Sequence, residues 1–406
     1  MKRRMRVLLV TDWNSNAGGA ESYIMTLRDS LQTAGDEVRL LACGAAFDDE
    51  VRPHEKIRGS DRASAQAFLQ IVNPFAVTRV RAVAREFRPD VAFVSHFAYH
   101  LSPAALTGLR NVPTVVGVMD YKCICPLGTK LLPDTALCAV SAGIVCQRNG
   151  CVSAAHWLRD RPRYAMIRSA LSRADRVVSP SRWIQKELET AGVRAEHVPL
   201  GVRPAGSRFR RAPEATPLFV YCGRLSREKG VPLLIRAFAR ALYAVPDAHL
   251  RIVGDGPERA ALEDLVDALD IGDSVEFAGK VARDRVEAEL ANAWAVVAPS
   301  LWAEPFGLIA LEATVRGVPV IASATGGFAE LVEDNVNGLL FPNGNERALT
   351  ECIRAVGSRK TFPTQRLPPD VVERFAAAGS PARHAGRIRS IFSELITEKR
   401  AELGAS

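Results

Sequence analysis

The stretch LFVYCGRLSREKGVPLLIRAF, residues 218–238, decides the fold. It opens on an apolar run of strand length and breaks at Gly223. A polar loop then carries Arg224 and Lys229, and from Gly230 a helical pattern begins. A buried strand running through a short loop into a helix is half of a βαβ unit. The pattern continues downstream with HLRIVGDGP (249–257), SVEFAGK (274–280), WAVVAPS (294–300) and VPVIAS (318–323), separated by helical segments. Near-continuous apolar strands alternating with helices mark a parallel sheet covered on both faces.

A second series of this kind lies upstream: RVLLVTD (6–12), EVRLLAC (37–43), DVAFVSH (90–96), TVVGV (114–118) and ADRVVSPS (174–181). Between the two series, VPLGVRPAGSRFRRAPEATP (198–217) dissolves into Pro, Gly and Arg, the composition of a linker. The expected fold class is therefore α/β, two Rossmann-like doubly wound domains facing across a cleft. A ligand is expected in that cleft, at the carboxyl ends of the strands.

At 406 residues, with 48% hydrophobic and 24% charged residues, the chain has ample material for such cores. No run approaches the roughly 18 apolar residues of a membrane span. The opening MKRRMRVLLVTD is basic, but its apolar run ends at Asp12, too early for a secretory signal. A cytoplasmic protein is expected. The net charge of +8 is spread along the chain, and its one dense cluster, RFRR (208–211), falls in the linker. Zinc-finger spacing, RNP motifs and basic heptads are absent, which argues against nucleic acid as a partner and leaves peripheral contact with an acidic bilayer open. Of eight cysteines, five fall at 123, 125, 138, 146 and 151. Their spacing is no clean CxxC…CxxC, so buried thiols are favoured over a metal site.

The loops at the strand ends carry the candidate chemistry. NAGGAES (16–22) places Gly18 and Gly19 where backbone amides can approach a phosphate, without forming GxGxxG. Arg224 and Lys229, five residues apart at a strand end, suit a diphosphate, the first as a fork and the second as a point charge. In SLWAEPFGLIALEA (300–313), Glu304 and Glu312 are eight positions apart. On a helix that spacing is about 12 Å of rise, too far for a proton-sharing dyad. The two read as separate grips on one long ligand. Pro305 is expected in the first helical turn, with the amides of Phe306, Gly307 and Leu308 forming an anion site.

EPFGLIALE with its E-x7-E spacing, GRLSREKG, IVGDGP, NAGGAE and VPLGV together resemble the retaining glycosyltransferases of family 4, which have the GT-B fold. The resemblance runs along nearly the whole chain and is densest over 218–342. It implies that Arg224 and Lys229 neutralise a donor diphosphate, that Glu304 holds sugar hydroxyls and that Glu312 holds the ribose. Gly279 and Lys280 would line the base pocket, with Gly18 and Gly19 near the phosphates. The implied reaction is transfer of a sugar from a nucleotide sugar, most simply UDP-linked, with retention. No DxD motif occurs, so neither metal nor other cofactor is expected.

One stretch departs from the family pattern. In VPTVVGVMDYKCICP (112–126) the family's histidine before Asp-Tyr-Lys is replaced by Met119, which cannot supply a polar contact to the donor sugar. Asp120 remains as a catalytic candidate, and His96 and His100 in VSHFAYH (94–100) are candidates on the acceptor side. The expected domains are 1–203 for the acceptor, completed by the C-terminal helix at about 383–406, and 204–382 for the nucleotide sugar. A nucleotide-sugar epimerase or hydrolase, and a binding protein that has lost turnover, are the alternatives. The acceptor stays open among saccharides, lipid-linked sugars and small natural products.

Overall fold

A computed structural model describes residues 4–12, 19–44, 53–60, 62–204 and 215–404. Gly18 and the RFRR cluster lie outside these residues. The chain divides into two compact units, one made of residues 1–133, 139–201 and 381–406, the other of 134–138 and 202–380. The described part holds no helix long and apolar enough to cross a membrane.

In the first unit the strands are β1 (Arg6–Asp12), β2 (Glu37–Gly44), β3 (Glu55–Arg58), β4 (Val91–Ser95), β5 (Thr114–Gly117), β6 (Arg176–Ser179) and β7 (Glu196–His197). They form one sheet in the order β3-β2-β1-β4-β5-β6-β7, and every pairing is parallel. In the second unit the strands are β8 (Leu218–Cys222), β9 (His249–Val253), β10 (Val275–Gly279), β11 (Ala295–Ala298), β12 (Val320–Ser323) and β13 (Gly338–Phe341). Their order is β10-β9-β8-β11-β12-β13, again with every pairing parallel. These are two doubly wound α/β sheets, the architecture expected from the alternating pattern. Strands β3, β7 and β13 were not among the apolar runs. Each is an edge strand of two to four residues. In β3 only Ile57 is buried, so that strand carries no apolar run to read.

In both sheets the chain starts in the middle, winds out to one edge, then returns to the other side of its first strand. The reversal falls between β1 and β4 in the first domain and between β8 and β11 in the second. At such a point the loops leaving the two neighbouring strands part in opposite directions and open a crevice at the carboxyl ends.

The C-terminal helix Pro381–Gly404 belongs to the first domain, where it packs against the helix Gly19–Thr33. Ile388, Ile391, Phe392 and Leu395 are at most 1% exposed, a stripe at helical spacing. Each contributes about 1.5–3 kcal/mol by burial, more than an exposed ion pair such as Arg176–Glu398 supplies. Two polar contacts set the register. Arg389 grips the buried Asp36 with two bonds, at 2.7 and 3.0 Å. His384 donates from Nδ1 to the Pro199 carbonyl at 2.7 Å and accepts from the Tyr23 hydroxyl at Nε2, 3.3 Å away.

That arrangement needs a neutral imidazole, and burial lowers the His384 pKa to about 4. Between pH 6.5 and about 4 the unfolded chain binds a proton that the folded chain excludes, so the His384 contribution is intact above pH 6.5 and is lost as pH falls through this window. The loss amounts to about 3 kcal/mol. Denaturant melts at pH 7 and pH 4.5 are expected to show a steeper acid loss in the wild type than in His384→Gln, since their difference cancels the other titrating groups.

Candidate active site

In the second domain the crevice between β8 and β11 is lined by residues 223–230 on one side and 299–308 on the other. These are the two segments that hold the cations and the first glutamate. Arg224 lies two residues past the end of β8 and is exposed, its carbonyl fixed by the Tyr221 hydroxyl at 2.7 Å. Burial, with Cys222, Glu304 and Glu228 nearby, raises the Tyr221 pKa well above its ordinary value, so this donor keeps its proton. Lys229 ends a short 3-10 turn and is half-buried.

Glu304 is bonded throughout. Lys229 Nζ lies 2.9 Å from both of its carboxylate oxygens. Trp302 Nε1 donates to Oε2 at 2.7 Å, and Ser300 Oγ donates to the same oxygen at 3.2 Å. The Lys229 ammonium also stands 5.0 Å from the centre of the Trp302 ring. Lys229 and Glu304, read from sequence as grips on two parts of a ligand, are thus one ion pair with an aromatic wall.

Backbone contacts at glycines make this packing feasible. A Cβ on Gly230 would stand 2.1 Å from the Pro299 carbonyl oxygen, which brings the two loops together. Gly326 and Gly327, after β12, lie against the same segment. A Cβ on Gly326 would meet the Glu304 oxygen and nitrogen at 2.4 and 2.5 Å. The Gly327 amide donates to the Glu304 carbonyl at 2.7 Å.

The expected helix start needs correction. The helix is Leu308–Thr314, capped by Gly307 in the left-handed region at φ 91°. Pro305 and Phe306 precede it, so Pro305 is not in its first turn. Phe306 is buried rather than presented as a helix-end donor. The ring of Phe328 packs on this turn, with a ring carbon 2.5 Å from where a Cβ on Gly307 would stand, so only glycine fits there. Glu312 is half-buried, only about one turn into the helix, and its carbonyl accepts from Arg316 at 2.7 Å. Gly279 ends β10 at φ 69°, its carbonyl bonded by the Gly254 amide at 2.8 Å, and Lys280 beside it is exposed.

In the first domain the crevice between β1 and β4 is organised by Asp12, which the sequence reading passed over as the end of a strand. Its buried carboxylate accepts the amides of Tyr99 at 2.6 Å, His100 at 3.0 Å and Leu101 at 2.6 Å. Its own amide donates to the His96 carbonyl at 2.6 Å. Burial pushes the Asp12 pKa up to about 7, against the pull of these amides and of Arg163. Gly19 opens the helix after β1.

His96 leaves β4 at φ 49°, with Nδ1 2.8 Å from Ser95 Oγ. Burial lowers its pKa, and the charge of Asp120 pulls it back upward. Asp120 Oδ1 accepts the Lys122 amide at 2.8 Å. Lys122, which the sequence reading did not single out, has a pKa lowered by burial and lies 5.3 Å from the centre of the Tyr99 ring. Met119 turns back onto the sheet. Its methyl carbon sits 2.6 Å from where a Cβ on Gly117 would be, beside Phe93 at 2.7 Å. His100 is set apart from these. It is 4% exposed, and its ring packs on Gly59, whose Cβ would stand 2.6 Å from His100 Nδ1. All eight cysteines are free thiols. Among the described residues no three of His, Cys, Asp or Glu are gathered as a metal site.

Residues 17–205 match the family model described as Glycosyltransferase Family 4, and residues 203–365 match that described as Glycosyl transferases group 1. Together the two matches span residues 17–365. It is 31% identical over 244 residues to a GDP-mannose-dependent alpha-(1-6)-phosphatidylinositol monomannoside mannosyltransferase of Mycolicibacterium smegmatis, covering 54% of this chain and 60% of that one. Its fold is similar to that of sucrose-phosphate synthase from Thermosynechococcus elongatus, with a TM-score of 0.76 at 23% identity over 97% of this chain and 100% of the other. It is also similar to that of Anabaena Alr3699/HepE in complex with UDP, with a TM-score of 0.68 at 20% identity over 96% and 100%. These likenesses establish the GT-B architecture of the two domains. The chain spans only 21% to 60% of the length of the curated relatives compared with it.

Gly327 has ordinary helical dihedrals, so alanine is allowed there by conformation. Its Cβ would nevertheless stand 2.1 Å from the Phe306 carbonyl oxygen, which is backbone and cannot swing away. Gly327→Ala is expected to destabilise the second domain by about 1–3 kcal/mol, seen as a lower melting temperature. Gly272→Ala, whose Cβ meets nothing within 4 Å, should leave it unchanged.

Proposed function

We propose that this protein transfers a sugar from a nucleoside diphosphate sugar to an acceptor hydroxyl, with retention at the anomeric carbon and without a metal. The observation that carries the proposal is the Lys229–Glu304 pair beside the exposed Arg224 at the switch point of the second domain. A diphosphate gains negative charge as it leaves the sugar. Arg224 offers a fork of donors and Lys229 a point charge whose position Glu304 fixes in advance. Groups that are already oriented stabilise the developing charge without reorganising as it forms.

A sugar hydroxyl can take the place of Ser300 Oγ, the longest of the bonds to Glu304, and Trp302 gives the sugar an apolar wall. Glu312 is assigned to the ribose, and Gly279 with Lys280 to the base. On the first-domain side, Asp120 and the neutral His96 are the polar groups available near Met119. The first domain, where the family match over residues 17–205 lies, is taken to hold the acceptor, whose chemical class stays open. Uridine is taken as the base because a neighbour of similar fold is described in complex with UDP. The mannosyltransferase relative is GDP-mannose-dependent, so guanosine is the comparison to run beside it.

The reaction tests this directly. With UDP-glucose and other nucleotide sugars, slow hydrolysis in the absence of acceptor is expected to release the sugar first as the anomer present in the donor, as followed by proton NMR. Arg224→Ala and Lys229→Ala should each lower the rate by about 10²–10³-fold. Release of the opposite anomer would exclude retention, and unchanged rates in both variants would remove the cations from the mechanism.

A further inference from the structure

Next to the Asp120–Lys122 turn, the first domain contains a cavity of about 640 Å³, within the size range of small-molecule sites. One wall is a face of the helix Ala154–Arg173, where Trp157, Arg161, Tyr164, Ala165 and Arg168 recur at three- and four-residue steps. The opposite wall comes from Cys123, Ile124 and residues 141–143, and Ala191 and Val193 contribute beyond the helix Arg182–Thr190. The lining mixes apolar side chains with polar groups, chief among them Ser141 and the two arginines. Trp157 stacks on Tyr164 with ring centres 6.1 Å apart.

Lys130 is 5% exposed, donates to the Val140 carbonyl at 2.8 Å and pairs with Glu187 at 2.8 Å. Ser141 Oγ donates to the Thr190 carbonyl at 3.3 Å. Both contacts tie the 130–141 segment to the helix Arg182–Thr190 and hold the wall in place. Burial raises the Tyr164 pKa, so its hydroxyl stays a donor, and that buried hydroxyl has no hydrogen-bond partner among the described residues. Arg161 and Arg168 are exposed on the same helix face as the aromatic pair, and Leu158 (67% exposed) and Ile144 (52%) leave further apolar surface there.

We infer that this cavity is a binding site for a small amphiphilic anion, an apolar chain or ring carrying one phosphate or carboxylate head. The apolar body is removed from water against Trp157, Tyr164 and Ile124, and the head is neutralised by Arg161 and Arg168. A cationic amphiphile would meet like charge at the arginines, and a small hydrophilic anion would leave the apolar wall unfilled.

The site does not depend on the donor chemistry, so its test is independent of turnover. Dodecyl phosphate below its micelle concentration is titrated into the full chain by calorimetry, with dodecanol and dodecyltrimethylammonium as controls. Saturable binding of the phosphate at one per chain is expected, at least tenfold weaker for either control. Arg161→Gln combined with Arg168→Gln should weaken it at least tenfold, and Ala165→Trp, which fills the cavity from an exposed position, should abolish it. UDP affinity should be unchanged in both variants, which shows that they remain folded. Failure of dodecyl phosphate to bind would overturn the inference, as would binding indifferent to Ala165→Trp or to the charge of the head. Association that requires anionic vesicles would assign the arginines to a membrane surface and overturn it equally.

Discussion

Glu304 is the residue around which the second domain's crevice is arranged. Its carboxylate takes a lysine, an indole and a hydroxyl, while its backbone is clamped by two glycines that follow the next strand. A half-buried carboxylate needs these partners, because desolvation without them would be costly. The partners in turn constrain the chain. Lys229 must reach across from the loop after β8, and glycines must stand wherever two backbones touch. The crevice is therefore a place where three loops meet with little room for a side chain, and where a cation is kept at a fixed position.

The first domain solves the same topological problem with a different residue. At its switch point Asp12 gathers three consecutive amides from the chain leaving β4, and the His96 carbonyl closes the knot. The bonds compete with burial, which leaves the carboxyl poised with a pKa of about 7. The consequence is geometric as well as electrostatic. His96 is held in a left-handed conformation at the mouth of β4, a strain that the Asp12 bonds help to maintain. Met119 and Gly117 complete that mouth with an apolar surface.

The architecture was legible because central strands of a doubly wound sheet are buried on both faces and so appear as unbroken apolar runs. VAFVS and LFVYC are such runs, and each is a central strand. EKIR was not legible, since an edge strand shows water one of its faces. The cations and Glu304 could be found because charged residues at strand ends have few structural reasons to be there. That Lys229 and Glu304 bind one another could not be read, since 75 residues separate them. Ser300 and Trp302 were in plain view within SLWAEPFG but carried no signal of their own. The late start of the helix at Leu308 was hidden too, because Pro305 favours a helical first turn and nothing local signals the left-handed Gly307 that precedes the helix.

The central claim is that the switch point of the second domain holds a nucleoside diphosphate through Arg224 and Lys229. Calorimetric titration of UDP and GDP against uridine and guanosine, with chelator present, tests it most directly. The account predicts that one diphosphate binds without metal, that its nucleoside binds at least tenfold more weakly, and that Arg224→Ala removes most of the difference. Equal affinity for diphosphate and nucleoside, or diphosphate binding indifferent to Arg224→Ala, would contradict it.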